Sequence, residues 1–245
     1  MRRTLARVGV AIVAVATLAG CYIPGQTTTA PPDQATAEKA DQALKALQGQ
    51  VLSKGPNGEN PAKVTSADMT PDQINQIKAK GAKAAIVMHY AGNDWSTAQI
   101  AGLRSEFKNL GIEVVAVTDA NFKPDKQVSD LETVMSKKPN IIVSLPADPV
   151  ATSTAYKAAA QGGAKLVFMD NVPKGFKAGT DYVSCVSADN YGNGVVSAHL
   201  MAKALGAKGK IGLIFHEADF FVTRQRYEGF KKTVQSDYPE MQIVE

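Results

Sequence analysis

Six short apolar runs limit how this chain can fold: Ala84–Met88, Glu113–Val117, Ile141–Leu145, Leu166–Met169, Val183–Val186 and Ile211–Phe215. Most are unbroken rather than alternating, the pattern of strands covered on both faces. Helical patterns separate most of them. Thr97–Leu110 places Ile100, Leu103, Phe107 and Leu110 on one face. Pro149–Gln161 opens on Asp148 as N-cap, with Pro149 in the first turn, and Tyr191–Leu205 is a third helical stretch. Strand–helix units recurring roughly every 28 residues, joined by right-handed crossovers, make a doubly wound parallel sheet of the α/β class the expected fold. The link from Met169 to Tyr182 contains Pro173, Gly175 and Gly179, so a loop rather than a helix is expected before the fifth strand.

Residues 34–80 read as a helical extension to this body. Leu44, Leu47, Val51 and Leu52 sit at helical spacing, and Lys54–Ala67 is a Gly/Pro/Asn loop. Thr70-Pro71-Asp72-Gln73 has the spacing of a capping box with proline at the first helical position, and it opens a small helix carrying Ile74 and Ile77.

Before the extension stands an export signal. Arg2, Arg3 and Arg7 precede the apolar run Val8–Leu18, which is too short to span a bilayer and ends in Leu18-Ala19-Gly20-Cys21. Small residues before a cysteine resemble the lipobox of bacterial lipoproteins, in which that cysteine is lipidated. Residues 1–21 are therefore expected to be a signal peptide with Cys21 as a lipid anchor to the membrane. Residues 22–33, rich in Thr and Pro, read as a tether. The three arginines account for most of the formal charge of +4; without them 24 basic residues face 23 acidic ones. So the charge gives no footprint for nucleic acid. With Cys21 taken by lipid, Cys185 stands alone in an apolar run, and no disulfide framework is expected. His89, His199 and His216 are far apart and no zinc spacing is present, so no metal and no cofactor is expected.

Ligands of open parallel sheets bind beyond the carboxyl ends of the strands. After the first strand come His89, Tyr90, Asn93, Asp94 and Trp95; after the second, Asp119; after the third, Pro146 and Asp148. Asp170 and Asn171 follow the fourth, and Asp189 and Asn190 the fifth. His216, Glu217, Asp219, Phe220, Phe221 and then Arg224 follow the sixth. Carboxylate, amide and guanidinium groups make paired hydrogen bonds to vicinal hydroxyls, and aromatic faces cover the C–H surface of a sugar ring. The candidate ligand set is therefore His89, Asn93, Trp95, Asp170, Asn171, Asp189, Asn190, Phe221 and Arg224, for a sugar or polyol. Asp148 reads more readily as a cap, and Asp189 as a cap for the next helix as well as a ligand group. A glycosidase using two rim carboxylates is the enzymatic alternative. A nucleophile elbow, a P-loop and a G-x-G-x-x-G are all missing, so binding without catalysis is expected.

The segment from Ala82 to Glu245 resembles the ribose/galactose type of periplasmic sugar-binding protein. The motifs are Gly92-Asn93-Asp94-Trp95-Ser96, Leu166-Val167-Phe168-Met169-Asp170-Asn171, Ser187-Ala188-Asp189-Asn190-Tyr191-Gly192 and Arg224-Gln225-Arg226-Tyr227-Glu228-Gly229-Phe230. The resemblance implies a type I periplasmic-binding-protein fold, with residues 82–188 as the first lobe and 189–245 as the start of the second. It implies ligand roles for Asn93, Trp95, Asp170, Asp189-Asn190 and Arg224, and delivery to the permease and ATPase subunits of an ABC importer. A ligand-sensing lobe for a receptor is the alternative. In the family the aspartate after strand four is usually followed by arginine; here Asn171 follows, which departs from the usual pentose-binding pattern. Met241–Glu245 reads as a strand just beginning, and the resemblance implies that more of the second lobe follows.

Overall fold

The computed structural model describes residues 34–214, 216 and 220–244. Cys21 and the expected export signal, together with Phe215, Glu217 and Asp219, lie outside the described residues. Two helices come first: α1 (Gln34–Ala46) and, after a single 3-10 turn at Val64–Ala67, α2 (Pro71–Ala79). There follow β1 (Lys83–Met88), α3 (Asp94–Asn109), β2 (Glu113–Asp119), α4 (Pro124–Ser136), β3 (Ile141–Ser144), α5 (Ser153–Gln161), β4 (Lys165–Met169) and β5 (Ser184–Val186). The chain then continues through α6 (Asn190–Leu205), β6 (Gly209–Gly212), α7 (Phe221–Asp237) and β7 (Met241–Val244).

The five parallel strands lie in the order β2-β1-β3-β4-β5, and β6 and β7 pair parallel in a separate two-stranded sheet. This is the expected doubly wound α/β architecture, and the order reverses direction between β1 and β3. Its two faces are covered as the unbroken runs require. On one side Val87, Ile142, Leu166 and Phe168 pack with Leu131 and Val134 of α4 and Tyr156 of α5. On the other, Ile86, Met88 and Val143 pack with Phe107, Leu110 and Ile112, and Ile74 and Ile77 of α2 join them. Phe168 is fully buried, with the rings of Tyr156 and Tyr182 edge-on at 5.2 and 5.6 Å. β2 is one of the two edge strands, with β5 at the other edge, and is only half-buried over most of its length.

Several boundaries differ from expectation. α5 begins at Ser153, not Pro149. The Asp148 carboxylate accepts the N–H groups of Val150 and Ala151 at 2.8 and 2.7 Å, so Asp148 closes a turn before the helix instead of capping the helix itself. α1 ends at Ala46 because the turn at Gly49 adopts φ +74, which leaves Val51 exposed beyond the helix. The sixth strand is Gly209–Gly212, shifted towards the N-terminus from the apolar run. Two expected details are present. Thr70 and Gln73 form the reciprocal capping box, and loop, not helix, leads from β4 to β5.

α6 and α7 pack face to face over Ala198, Ala202, Phe230 and Val234. Gly194 and Gly229 let the two backbones meet. A Cβ on Gly194 would press into the Arg226 carbonyl and lie 2.8 Å from the Phe230 nitrogen, and one on Gly229 would press into the Tyr191 carbonyl. Beside this contact the buried His199 ring shares a 2.8 Å hydrogen bond with the Tyr238 hydroxyl. Burial holds the His199 imidazole below its ordinary value of 6.5, against the pull of Asp237 and together with that of Lys39. The unfolded chain therefore takes up this proton first as pH falls, and stability drops with it. Melting temperature is expected to stay level above about pH 7 and to fall as pH passes below about 6.5. His89 shifts in the same direction and adds to the slope. His199→Gln is expected to flatten the profile measurably; an unchanged slope would show that this histidine does not titrate differently in the two states.

Candidate functional site

The strand register fixes where the site forms. Met88 pairs with Asp119, Val87 with Ser144, Ser144 with Phe168, and Met169 with Val186. The residues that leave these strands therefore line up along one rim: His89 after β1, Ala120 after β2, Leu145 after β3 and Asp170 after β4. Buried polar side chains hold the loops beneath it. Gln127, fully buried on α4, donates to the Leu145 carbonyl at 2.9 Å and accepts the Ala147 N–H at 2.7 Å. Ser144 donates to the Val87 carbonyl at 2.6 Å and shares a hydrogen bond with the Tyr156 hydroxyl.

An aromatic wall stands on this rim. Trp95, in the first turn of α3, is 45% exposed, and its ring meets His89 edge-on at 6.4 Å. Phe122, 51% exposed, stacks on Tyr90 at 4.7 Å and meets His89 edge-on at 5.1 Å. Phe122 was not anticipated from the sequence, where Asn121-Phe122 follows the second strand without a motif. Both residues adopt left-handed backbone, φ 48 and 59. The Phe122 N–H donates to the His89 carbonyl at 2.7 Å, and the Asn121 N–H donates to the Asp119 carboxylate at 2.8 Å. An aromatic residue at positive φ is uncommon, and such strain gathers at ligand sites.

Polar groups flank the wall. Asp170 is half-buried, also left-handed at φ 58, and its carboxylate accepts the Ser187 hydroxyl at 2.7 Å. Burial lowers the His89 imidazole below its ordinary value, and the nearby charges of Asp170 and Asp119 oppose that shift. Among the described residues, His89 Nδ1, Ser96 Oγ and Thr118 Oγ1 are buried side-chain atoms without a protein hydrogen-bond partner. All three belong to the carboxyl end of β1 and β2 or to the start of α3. Buried polar atoms are ordinarily paired, so this end of the sheet has hydrogen-bonding capacity in reserve.

The other expected ligand residues have partners within the fold. The Asn93 side chain caps α3, accepting the Ser96 N–H at 2.8 Å. Asn171 is buried and accepts the Val222 N–H at 3.4 Å, which ties the end of β4 to the start of α7. The Asp189 carboxylate accepts the N–H groups of Leu52, Ser53 and Gly192. Fully buried Asn190 donates to Ser187 Oγ and to the Ala188 carbonyl, and accepts Arg226 Nε at 2.8 Å. These hydrogen bonds take up most of what Asp189 and Asn190 offer. Phe221 is half-buried and Arg224 exposed, both in the first turn of α7. The exposed ring of His216 lies against Phe220 at 4.9 Å. The structure thus brings His89, Trp95, Asp170 and the unanticipated Phe122 to one rim, and places Asp189 and Asn190 at the base of α6. Among the described residues no group of three or more His, Cys, Asp or Glu is arranged to hold a metal.

Comparison with known proteins bears on the family and the fold. A family model described as a periplasmic binding protein domain matches residues 84–245. The ribose import binding protein of Bacillus subtilis is 30% identical over 129 residues, 53% of this chain and 41% of that protein. Its counterpart in Escherichia coli is 26% identical over 151 residues, 61% of this chain and 49% of that protein. The chain spans less than half the length of these two relatives. The solved arabinose binding protein of Geobacillus stearothermophilus matches with a TM-score of 0.57 and 28% identity, over 66% of this chain and 55% of that one. An ABC transporter solute binding protein from Mycobacterium smegmatis with bound glycerol matches at 0.60 and 27%, over 67% and 55%. The matched segment runs from within β1 to β7, and the chain belongs to the periplasmic binding protein domain family.

Proposed function

We propose that this protein captures a sugar or polyol outside the cytoplasm and delivers it to the permease and ATPase subunits of an ABC importer. The observation that carries the reading is the aromatic wall of Trp95, Phe122 and Tyr90 beside Asp170, at the carboxyl ends of β1, β2 and β4. Aromatic faces suit the C–H surface of a sugar, and a carboxylate suits its hydroxyls. The relatives support it: two are ribose import binding proteins, one binds arabinose, and one was solved with glycerol. The rim binds without catalysis. Asn171 stands where the resemblance expects arginine, and its side chain is turned to α7, so Asp170 carries the polar recognition on this strand end.

Trp95 is the only tryptophan of the chain, so its fluorescence reports the site directly. Titration with ribose, arabinose, glycerol and other pentoses, hexoses and polyols is expected to give saturable binding by calorimetry for at least one of them. The fluorescence change should have the same midpoint, and Trp95→Phe should retain part of the affinity. Failure of every sugar and polyol to bind would end the reading. The lipid anchor at Cys21 belongs to the same proposal, because capture at the membrane surface keeps the protein beside its permease. Mass spectrometry of the mature N-terminus is expected to find acyl chains on Cys21, and Cys21→Ala should release the protein from the membrane fraction.

A further inference from the structure

Residues 34–80 hold on to both parts of the molecule. α1 lies along α6: Ala40 is fully buried, Lys39 sits 4.9 Å from the centre of the Tyr238 ring and donates to the Asp237 carbonyl, and Lys203 pairs with Asp41. α2 packs on the other part, with Ile74 and Ile77 against the β1–α3 side of the five-stranded sheet. Between these helices the chain crosses the junction where β5 gives way to α6. There the N–H groups of Leu52 and Ser53 donate to the two oxygens of Asp189 at 2.9 and 2.8 Å. The Ser53 hydroxyl accepts the Tyr191 N–H at 2.9 Å, and the Gln225 amide donates to the Lys54 carbonyl at 3.1 Å. A few residues on, Asn57 donates to the Phe176 carbonyl, which belongs to the five-stranded part, at 3.2 Å.

We infer that residues 50–57 form a strap across this junction, pinned by the Asp189 carboxylate, which restrains rotation of the α6–α7 part against the five-stranded sheet. Among the described residues the chain crosses between the two parts in a short segment at residues 187–189, and rotation about such segments is how two-part binding proteins close. A second connection fastened on both sides of the pivot resists that rotation. The pin is strong for its size because a carboxylate accepting several backbone N–H groups makes charge-assisted bonds. Burial works against the charged form of Asp189, but hydrogen bonds from Leu52, Ser53 and Gly192 outweigh it and hold its carboxyl below the ordinary value. None of the strap hydrogen bonds given above involves Trp95, Phe122 or Tyr90. It acts on the population of the binding-competent arrangement, and apparent affinity scales with that population. This last consequence rests on the proposed binding function; the strap itself is read from the free protein.

The test compares the protein with Ser53→Pro and Asp189→Ala. Ser53→Pro removes one strap donor and the hydroxyl acceptor while leaving Asp189 to cap α6 through Gly192. Hydrogen exchange is expected to accelerate about tenfold to a hundredfold at the Leu52 amide and its neighbours, while β1 and β3 keep their protection. Spin labels on non-natural ketone residues at positions 157 (α5) and 208 (after α6) then report the angle between the two parts. A single narrow distance distribution is expected for the parent, and a broader or shifted one for both variants. If both variants keep the parental distribution, the strap restrains nothing and the inference falls. If Asp189→Ala loses protection throughout the sheet, Ser53→Pro alone decides: a broadened distribution with an intact sheet upholds the strap, and an unchanged one refutes it. Neither readout uses a ligand, so failure of the sugar titration leaves this result standing.

Discussion

Asp170→Ala is expected to weaken binding of the cognate sugar or polyol by about 2 kcal/mol or more, roughly thirtyfold, without unfolding the protein. The carboxylate stands at the end of β4, two strands along the rim from His89 at the end of β1, and its one protein partner given above is the Ser187 hydroxyl at 2.7 Å. A charged acceptor makes stronger hydrogen bonds to hydroxyls than a neutral one, and its removal leaves ligand hydroxyls unpaired. Because Asp170 has φ 58, alanine also adds backbone strain there, so stability must be followed in parallel. Asp170→Asn separates the two effects. Asparagine tolerates the left-handed backbone and keeps one acceptor, so it should melt like the parent and bind with an intermediate loss. Calorimetry showing parental affinity for Asp170→Ala would remove this residue from the site.

A larger effect on stability is expected at the crossing of α6 and α7. Gly194→Ala adds a methyl group that meets the Arg226 carbonyl and the Phe230 nitrogen of α7, both of them backbone and unable to swing aside. Alanine is the better helix former by about 1 kcal/mol, but opening a packed helix pair costs more, commonly 1–3 kcal/mol per overpacked site and beyond that for backbone contact. A net loss of about 2 kcal/mol is expected, or roughly 4–8 °C in melting temperature. Gly102→Ala is the matched control. Gly102 lies within α3, and a Cβ there meets nothing within 4 Å, so the same change should raise stability by about 0.5–1 kcal/mol. Thermal melts that move both variants in the same direction would show that the close crossing is not what sets stability here.

The doubly wound sheet was legible because its evidence is local. Unbroken runs such as Ile141–Ser144 and amphipathic stretches such as the one around Phe107 show their burial in their periodicity. The rim residues His89, Trp95 and Asp170 followed from the rule that strands point their ligands beyond their carboxyl ends. Phe122 escaped because its exposure depends on two successive left-handed residues; asparagine tolerates that conformation, but nothing signals it in the aromatic residue that follows Asn121. Asp189 and Asn190 read as ligand groups because their side chains suit a sugar. Asp189 does cap α6 through Gly192, as its position suggested, but its bonds to Leu52 and Ser53, over a hundred positions away, and that of Asn190 to Arg226, one helix on, leave no mark on sequence spacing. The start of α5 was missed for a similar reason: an aspartate before Pro149 closes a turn and opens a helix with the same residue pattern.

The left-handed residues at the rim place two demands on the same positions. Asn121, Phe122 and Asp170 all hold left-handed backbone, which asparagine and aspartate tolerate but which costs about 1–3 kcal/mol in a bulky residue such as Phe122. Glycine at position 122 would release that energy and make a sturdier molecule, while taking away the ring that stacks on Tyr90. On the proposed binding reading, the rim is therefore a place where a firmer fold and ligand recognition pull against each other at the same side chain.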